Sequence, residues 1–254
     1  MRKRTIIIII AVVAVVAGAV WFFVPSVALE TGIVGHWDFN EGSGSILGDS
    51  SGYDNDGMVY GATWVDGIEG TALYLDGIND YIDVGNDDSL NPSDAITVAA
   101  WFKPESYTGS GNDPLVTKGY TLHVDPYYQY HLGVNGDLRT AGERPGSFLF
   151  DVSVSGTIYE VQTPIDTWTA GNWYHIVGTF DGFTLAIYVN GNLEDSETIA
   201  ILSMMNYGED VYFGRFNNLI GQDIDGYLPG TIDEIIIYDR ALNAQEVKSL
   251  YLLD

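Results

Sequence analysis

Hydrophobic positions fall into three regimes along the chain. Ile6 to Val24 is an uninterrupted apolar run behind Arg2, Lys3 and Arg4. The twenty residues Thr5 to Val24 would span roughly 30 Å as a helix, the thickness of bilayer hydrocarbon. The basic residues before them predict a cytoplasmic N-terminus, with everything after Pro25 outside the cell membrane. A cleaved secretory signal is the rival reading, since Ser26-Val27-Ala28 offers small residues for a peptidase. Signal cores run only about 7 to 15 residues, so the length favours a single-pass signal anchor. Residues 1–28 are read as anchor or signal peptide, and residues 29–254 as one exported, extracellular domain, secreted if the segment is cut.

From Leu29 onward the pattern changes to short runs of Val, Ile, Tyr, Phe and Thr between clusters of Gly, Asn and Asp. That rhythm predicts strands and tight turns of an all-β sandwich. Strands are expected over 34–39, 72–75, 81–84, 96–102, 174–180 and 185–189. Asp181-Gly182 and Asn190-Gly191 favour the positive φ of hairpin turns, so three consecutive antiparallel strands are predicted through 199. The third regime is the C-terminus. Asn243 can cap a helix whose third residue is Glu246, and Leu242 and Val247 are spaced for a hydrophobic staple. A short helix over 244–252 follows, with Leu250, Leu252 and Leu253 expected to pack on the sandwich. Residues 105–173 are less regular and read as strands with long loops.

The 254 residues include no Cys, 10 Lys+Arg and 35 Asp+Glu, for a formal net charge of -25. Three of the ten basic residues precede the apolar run, so the exported part is close to -28. Nucleic acid is excluded as a partner class, because it is bound by neutralising phosphates with Lys and Arg. A thiolate metal site and a cysteine nucleophile are excluded by composition. The scarcity of lysine fits a solvated surface adapted to salt.

Several segments together resemble the laminin-G-like jelly roll, within the concanavalin A-like lectin/glucanase superfamily to which pentraxins also belong. They are Gly35-His36-Trp37-Asp38-Phe39, Asp49-Ser50-Ser51-Gly52 with Asn55 and Gly57, and Leu75-Asp76-Gly77 with Asp80-Tyr81-Ile82. Ile96 to Pro104, Asn172 to Val177, Tyr188-Val189-Asn190-Gly191, and Gly230 to Glu234 with Ile237 to Leu242 complete the series in the family's order. The resemblance implies an antiparallel two-sheet jelly-roll sandwich of about a dozen strands, one sheet concave. This superfamily holds lectins, adhesive modules, hydrolases and structural domains, so function rests on the residues.

Hydrolases of the superfamily carry Glu-x-Asp-x-x-Glu, which sets an acid and a nucleophile on one sheet face. Here no Glu is followed two positions later by an acid, and His-Glu-x-x-His is absent. A non-catalytic module is therefore expected. Calcium needs six to eight oxygens, and the Asp76-Gly77-Ile78-Asn79-Asp80 loop offers carboxylates, an amide and backbone carbonyls. Asp76, Gly77, Asn79 and Asp80 are the candidate ligands, with Asp233 arriving from the closing strand. The plainer alternative is that Asp and Asn populate turns by bonding neighbouring amides. Sugar binding needs aromatic faces beside orienting polar groups, and the candidates are Tyr127, Tyr128, Tyr130 and Trp168 with Arg139 and Arg144. Trp37, Trp101 and Trp173 lie in strand motifs and read as core. The sequence thus predicts a membrane-tethered extracellular module for carbohydrate or cell-surface protein, with structural calcium. A structural surface or filament subunit with protein partners is the alternative.

Overall fold

Runs of β-branched and aromatic residues ending at Gly, Asn or Asp become strands of two packed sheets in the computed structural model of the chain. The structure describes residues 15–16, 19–20, 29–105, 113–119, 128–135, 146–164, 167–199, 203–216 and 226–253. In chain order the strands are β1 (Val15–Val16), β2 (Ala19–Val20), β3 (Ile33–Trp37), β4 (Ile46–Leu47), β5 (Gly57–Tyr60) and β6 (Thr63–Asp66). Then come β7 (Thr71–Asp76), β8 (Tyr81–Gly85), β9 (Ile96–Pro104), β10 (Asp113–Gly119), β11 (Tyr128–Asn135) and β12 (Ser147–Val154). The last six are β13 (Thr157–Gln162), β14 (Tyr174–Phe180), β15 (Thr184–Val189), β16 (Asn192–Thr198), β17 (Val211–Phe213) and β18 (Pro229–Tyr238), followed by helix α1 (Ala244–Tyr251).

One sheet, here sheet I, has the order β13-β12-β11-β10-β17-β8-β5-β4; sheet II has the order β16-β15-β14-β9-β18-β7-β6, with β3 also on β18. Every pairing is antiparallel. The closing strand β18 serves two neighbours on one edge. Pro229 to Ile232 pair with β7, and Ile235 to Tyr238 pair with β3. Between them lies a bulge at Glu234, whose φ is 46°.

Alternation along each strand sends one set of side chains between the sheets. Trp37 from sheet II meets Phe213 from sheet I edge-on, with centroids 4.9 Å apart. Gly178 is required by this packing. A Cβ there would fall 2.2 Å from the Phe150 ring of the facing sheet. The predicted hairpins are present, and Asn190 and Gly191 take φ of 50° and 72° in the turn between β15 and β16. The Asn243 and Glu246 capping box is also present.

Helix α1 lies on the outer side of sheet II, where Leu242, Val247 and Leu250 cover Ala99, Val177, Ala186, Tyr188 and Ile236. Leu252 and Leu253 depart from expectation, being 69% and 64% exposed. At 100° per residue Leu252 sits about 200° round from Leu250, on the side away from the sheet. Trp101 is buried on this outer side against Tyr251 rather than between the sheets, and Trp173 is only half-buried under the Lys103 ammonium. The expected anchor falls almost wholly outside the described residues; within it, β1 pairs with β2. Among the described residues no helix is long and apolar enough to cross a membrane.

Candidate functional site

The outer face of sheet I carries the concentration of chemistry. Val152, Leu132, Val116, Phe213, Ile82 and Val59 point into the core. Their chain neighbours therefore point outward, and the strand registers align them in a row: Glu160, Asp151, His131, Thr117, Tyr212, Asp83 and Met58. The row divides into an aromatic half and a polar half.

On the aromatic side Tyr60 and Tyr81 stack at 4.6 Å with an interplanar angle of 17°, and Tyr212 meets Tyr81 edge-on at 6.1 Å. The Arg215 guanidinium lies 4.2 Å from the Tyr81 centroid and 4.5 Å from that of Tyr212. Burial pushes the Tyr81 and Tyr212 phenols up, so both stay protonated as hydroxyl donors. Asp83 is also raised, first by burial and then by Asp210, against the pull of Arg215. Tyr60 is 44% exposed, which gives the platform an open edge.

On the polar side His131 Nδ1 lies 3.0 Å from Asp151 Oδ2, and both residues are buried. Desolvation pushes His131 down to about 3 and Asp151 up to about 7, so burial drives both toward their uncharged forms. Thr117 Oγ1, His131 Nε2 and Asp151 Oδ1 make no hydrogen bond. Buried polar atoms are rarely left so, and these three form a polar seam closed off from solvent beneath the surface of the face. Tyr128 and Phe216 stack over this end, both within 5.1 Å of the His131 ring by centroid. The aromatic half offers flat rings beside a guanidinium and phenol hydroxyls, the combination a polyhydroxylated ring compound needs.

Of the six residues predicted to bind ligand, Tyr128 joins this face. A bulge explains it: β11 uses Tyr128 to Tyr130 opposite the single step from Gly119 to Lys118 of β10. The extra residue breaks the alternation, so Tyr128 turns outward. Tyr130 is a correction. It is fully buried in the core, its hydroxyl donating to the Leu90 carbonyl at 3.2 Å. Trp168 is also turned inward, packing on the core and stacking on Phe148. Tyr127, Arg139 and Arg144 lie outside the described residues. Tyr60, Tyr81, Tyr212 and Arg215 were not anticipated, although each tyrosine adjoins a core residue (Val59, Ile82 or Phe213) in the way outward strand positions do.

Of the five predicted calcium ligands, Asp76, Gly77, Asn79 and Asp80 share one loop and Asp233 lies apart. Asp76 Oδ1 accepts from the amides of Ile78 and Asn79, and Asp80 Oδ2 accepts from Asp76 N, so this loop closes on itself. Gly77 supplies its positive φ of 74°. Asp233 accepts from Ile68 N and Glu234 N and fixes the turn before β7. It lies four residues along β18 from Pro229, the partner of Asp76, and hence about 13 Å away at strand rise. This donor set does not fit one ion. Among the described residues, no three of the His, Asp and Glu side chains form a group able to hold a metal.

Two arrangements resemble catalytic sets and are built for other ends. Asp151 and Glu160 are directly opposite one another on β12 and β13, but Asp151 is buried. Glycoside hydrolysis needs both carboxyls open to the sugar carbon or a water. Gly48-Asp49-Ser50-Ser51-Gly52 has the spacing of a Gly-x-Ser-x-Gly nucleophile elbow. However, Ser50 Oγ donates to the His36 carbonyl at 3.0 Å, while the His36 ring faces Glu234 at 3.3 Å. Asp49 accepts from the amides of His36, Ser51 and Asn55, which makes this a loop clamp.

An antiparallel two-sheet sandwich with this strand order is a jelly-roll architecture. A laminin-G family model, described as the concanavalin A-like lectin/glucanases superfamily, matches residues 76–248, and the chain belongs to that family. No curated protein matches the chain. Among solved structures it is similar to the binding domain of Paraclostridial Mosquitocidal Protein 1, with a TM-score of 0.68 and 21% identity over 88% of this chain and 52% of that one. It is also similar to domain 4 of AbnA, a GH43 extracellular arabinanase from Geobacillus stearothermophilus, in complex with arabinotriose. There the TM-score is 0.64 with 22% identity, over 86% of this chain and 98% of that one. A botulinum neurotoxin type C structure, whose cell entry depends on two ganglioside molecules, matches with a TM-score of 0.66 and 13% identity over 90% and 52%. The chain spans about half the length of the toxin structures, and at these identities the likeness is one of fold.

Proposed function

We propose that the chain is a non-catalytic carbohydrate-binding module, tethered to a membrane by residues 5–24, whose glycan lies across the outer face of sheet I. The observation that carries this reading is the Tyr60–Tyr81 stack continued by Arg215 and Tyr212. Sugar C–H groups pack on such rings, and the exposed Tyr60 leaves the platform open to a ligand at its edge. The arabinotriose complex of a domain with the same fold supports the ligand class. The reading does not depend on calcium; Asp76, Asp80 and Asp233 each accept from backbone amides and hold their own turns.

Calorimetric titration with neutral oligosaccharides, chosen from a glycan array, tests the site. Replacing both Tyr60 and Tyr81 by Ala should weaken binding about fivefold or more, since aromatic contacts contribute roughly 0.5–1.5 kcal/mol each. The fold should survive, because Tyr60 is outside the core. Retention of no glycan, or affinity indifferent to the double substitution, defeats the reading.

A further inference from the structure

The molecule distributes its few cations unevenly. Of the described basic residues Lys103, Lys118, Arg215, Arg240 and Lys248, three lie on the outer side of sheet II, around α1. Lys103 sits 5.0 Å over Trp173, and Lys248 sits 5.0 Å over Tyr251. Arg240 pairs with Glu246, the one acid of the helix, which is turned inward. The outward positions Ala244, Gln245, Lys248, Leu252 and Leu253 therefore carry no negative charge in a domain that is otherwise strongly acidic.

The same side receives the chain from its N-terminal segment. Leu29 is buried in the cluster with Leu242, Val247 and Leu250. Five steps separate it from Val24, the last residue of the apolar run, and they reach at most about 18 Å. Whatever holds that run thus lies close to α1. Half-exposed Trp and Tyr rings flanked by Lys, beside two exposed leucines, are the composition that suits a lipid–water interface. Asp239 stands beside Gly32 at the point of entry with Glu30 nearby in sequence, and Asp254 follows Leu253 in sequence.

We infer that the α1 side of sheet II rests on the headgroup layer of the membrane that holds the N-terminal segment, with Lys103, Trp173, Lys248, Tyr251, Leu252 and Leu253 at the contact. Sheet I then faces away from the lipid and presents the Tyr60–Tyr81 platform to ligand. This inference rests on the tether in the reading above.

The chain has no cysteine, so single labels can be placed cleanly. The full chain would be reconstituted in phosphatidylcholine–phosphatidylglycerol vesicles carrying a headgroup nitroxide, with a fluorophore at Leu253→Cys or at Ile46→Cys on sheet I. The two sites are separated by the thickness of both sheets and the helix, so quenching at 253 should exceed that at 46 at least about threefold. Lys103→Glu with Lys248→Glu should reduce the quenching at 253 about twofold. Co-flotation with equal quenching at the two sites, or quenching unaffected by charge reversal, overturns the inference and leaves the tether standing. Failure to co-float removes the tether and this inference with it.

Discussion

Gly178 shows how a single position governs the core. Its missing Cβ is the space occupied by Phe150, so Gly178→Ala forces the ring or the backbone to move. Overpacking of this kind costs about 1–3 kcal/mol, and the urea midpoint should fall without a change in slope. An unshifted midpoint shows that the sheets can separate freely there. Asp151 gives a pH-dependent counterpart. Its carboxyl is raised to about 7 by burial, so between the ordinary aspartate value and 7 the folded state holds a proton that the unfolded state releases. The contribution of this group to stability is complete at low pH and is lost as pH rises through 7. Asp151→Asn cannot lose it. Hence the melting temperature of the variant, measured relative to the native protein, should climb from pH 4 to pH 8. A constant difference across that range refutes the assignment of Asp151 as a protonated acid. His131 acts oppositely, its lowered value making stability rise with pH from about 3 to 6.5. Working in the Asp151 difference removes most of that background.

Elements differ in how far their sequence announces them, and α1 is the most explicit. Asn243 Oδ1 accepts from Gln245 N and Glu246 N, and Glu246 Oε2 accepts from Asn243 N. Asn243→Ala should cost about 1 kcal/mol, read as a lower melting temperature; no loss means that Leu242 and Val247 hold the helix by themselves. The hairpins from β14 to β16 were equally legible, because Asp-Gly and Asn-Gly dictate local turns. Strands β10 to β12 were hidden for a physical reason: their outer positions Thr117, His131, Ser147, Asp151 and Ser153 are polar yet buried, so polarity no longer reports exposure. β17 is three residues long and held only by its neighbours in space. The site was harder still. Tyr60, Tyr81 and Tyr212 come from three strands far apart in sequence, and register alone assembles them, whereas the eye is drawn to the contiguous tyrosines at 127–130. Of those, Tyr128 reaches the face through a bulge that no propensity signals.

At the scale of the whole molecule, 35 acidic side chains face 10 basic ones, so most carboxylates have no cation to pair with. Their mutual repulsion weakens the compact state, and dissolved salt relieves it. The Debye length shrinks from about 30 Å at 0.01 M to about 10 Å at 0.1 M, which spans the separations between surface charges on a domain of this size. The melting temperature should therefore rise by several degrees over that interval, at about 2–4 °C per kcal/mol for a domain of 150–250 residues. Glycan affinity should behave differently. The platform is built from rings and hydroxyls, and its one guanidinium is already set against Tyr81, Tyr212 and the field of Asp83. A neutral oligosaccharide should accordingly bind with the same affinity, within a factor of about two, at both salt concentrations, because no charge pair forms on binding. Affinity that falls steeply with salt would instead mean that Arg215 meets an anionic ligand group, and the ligand would have to be an acidic glycan. A melting temperature unmoved by salt would mean that the carboxylates are spaced beyond one another's reach, and the acidity would then have no mechanical consequence for the fold.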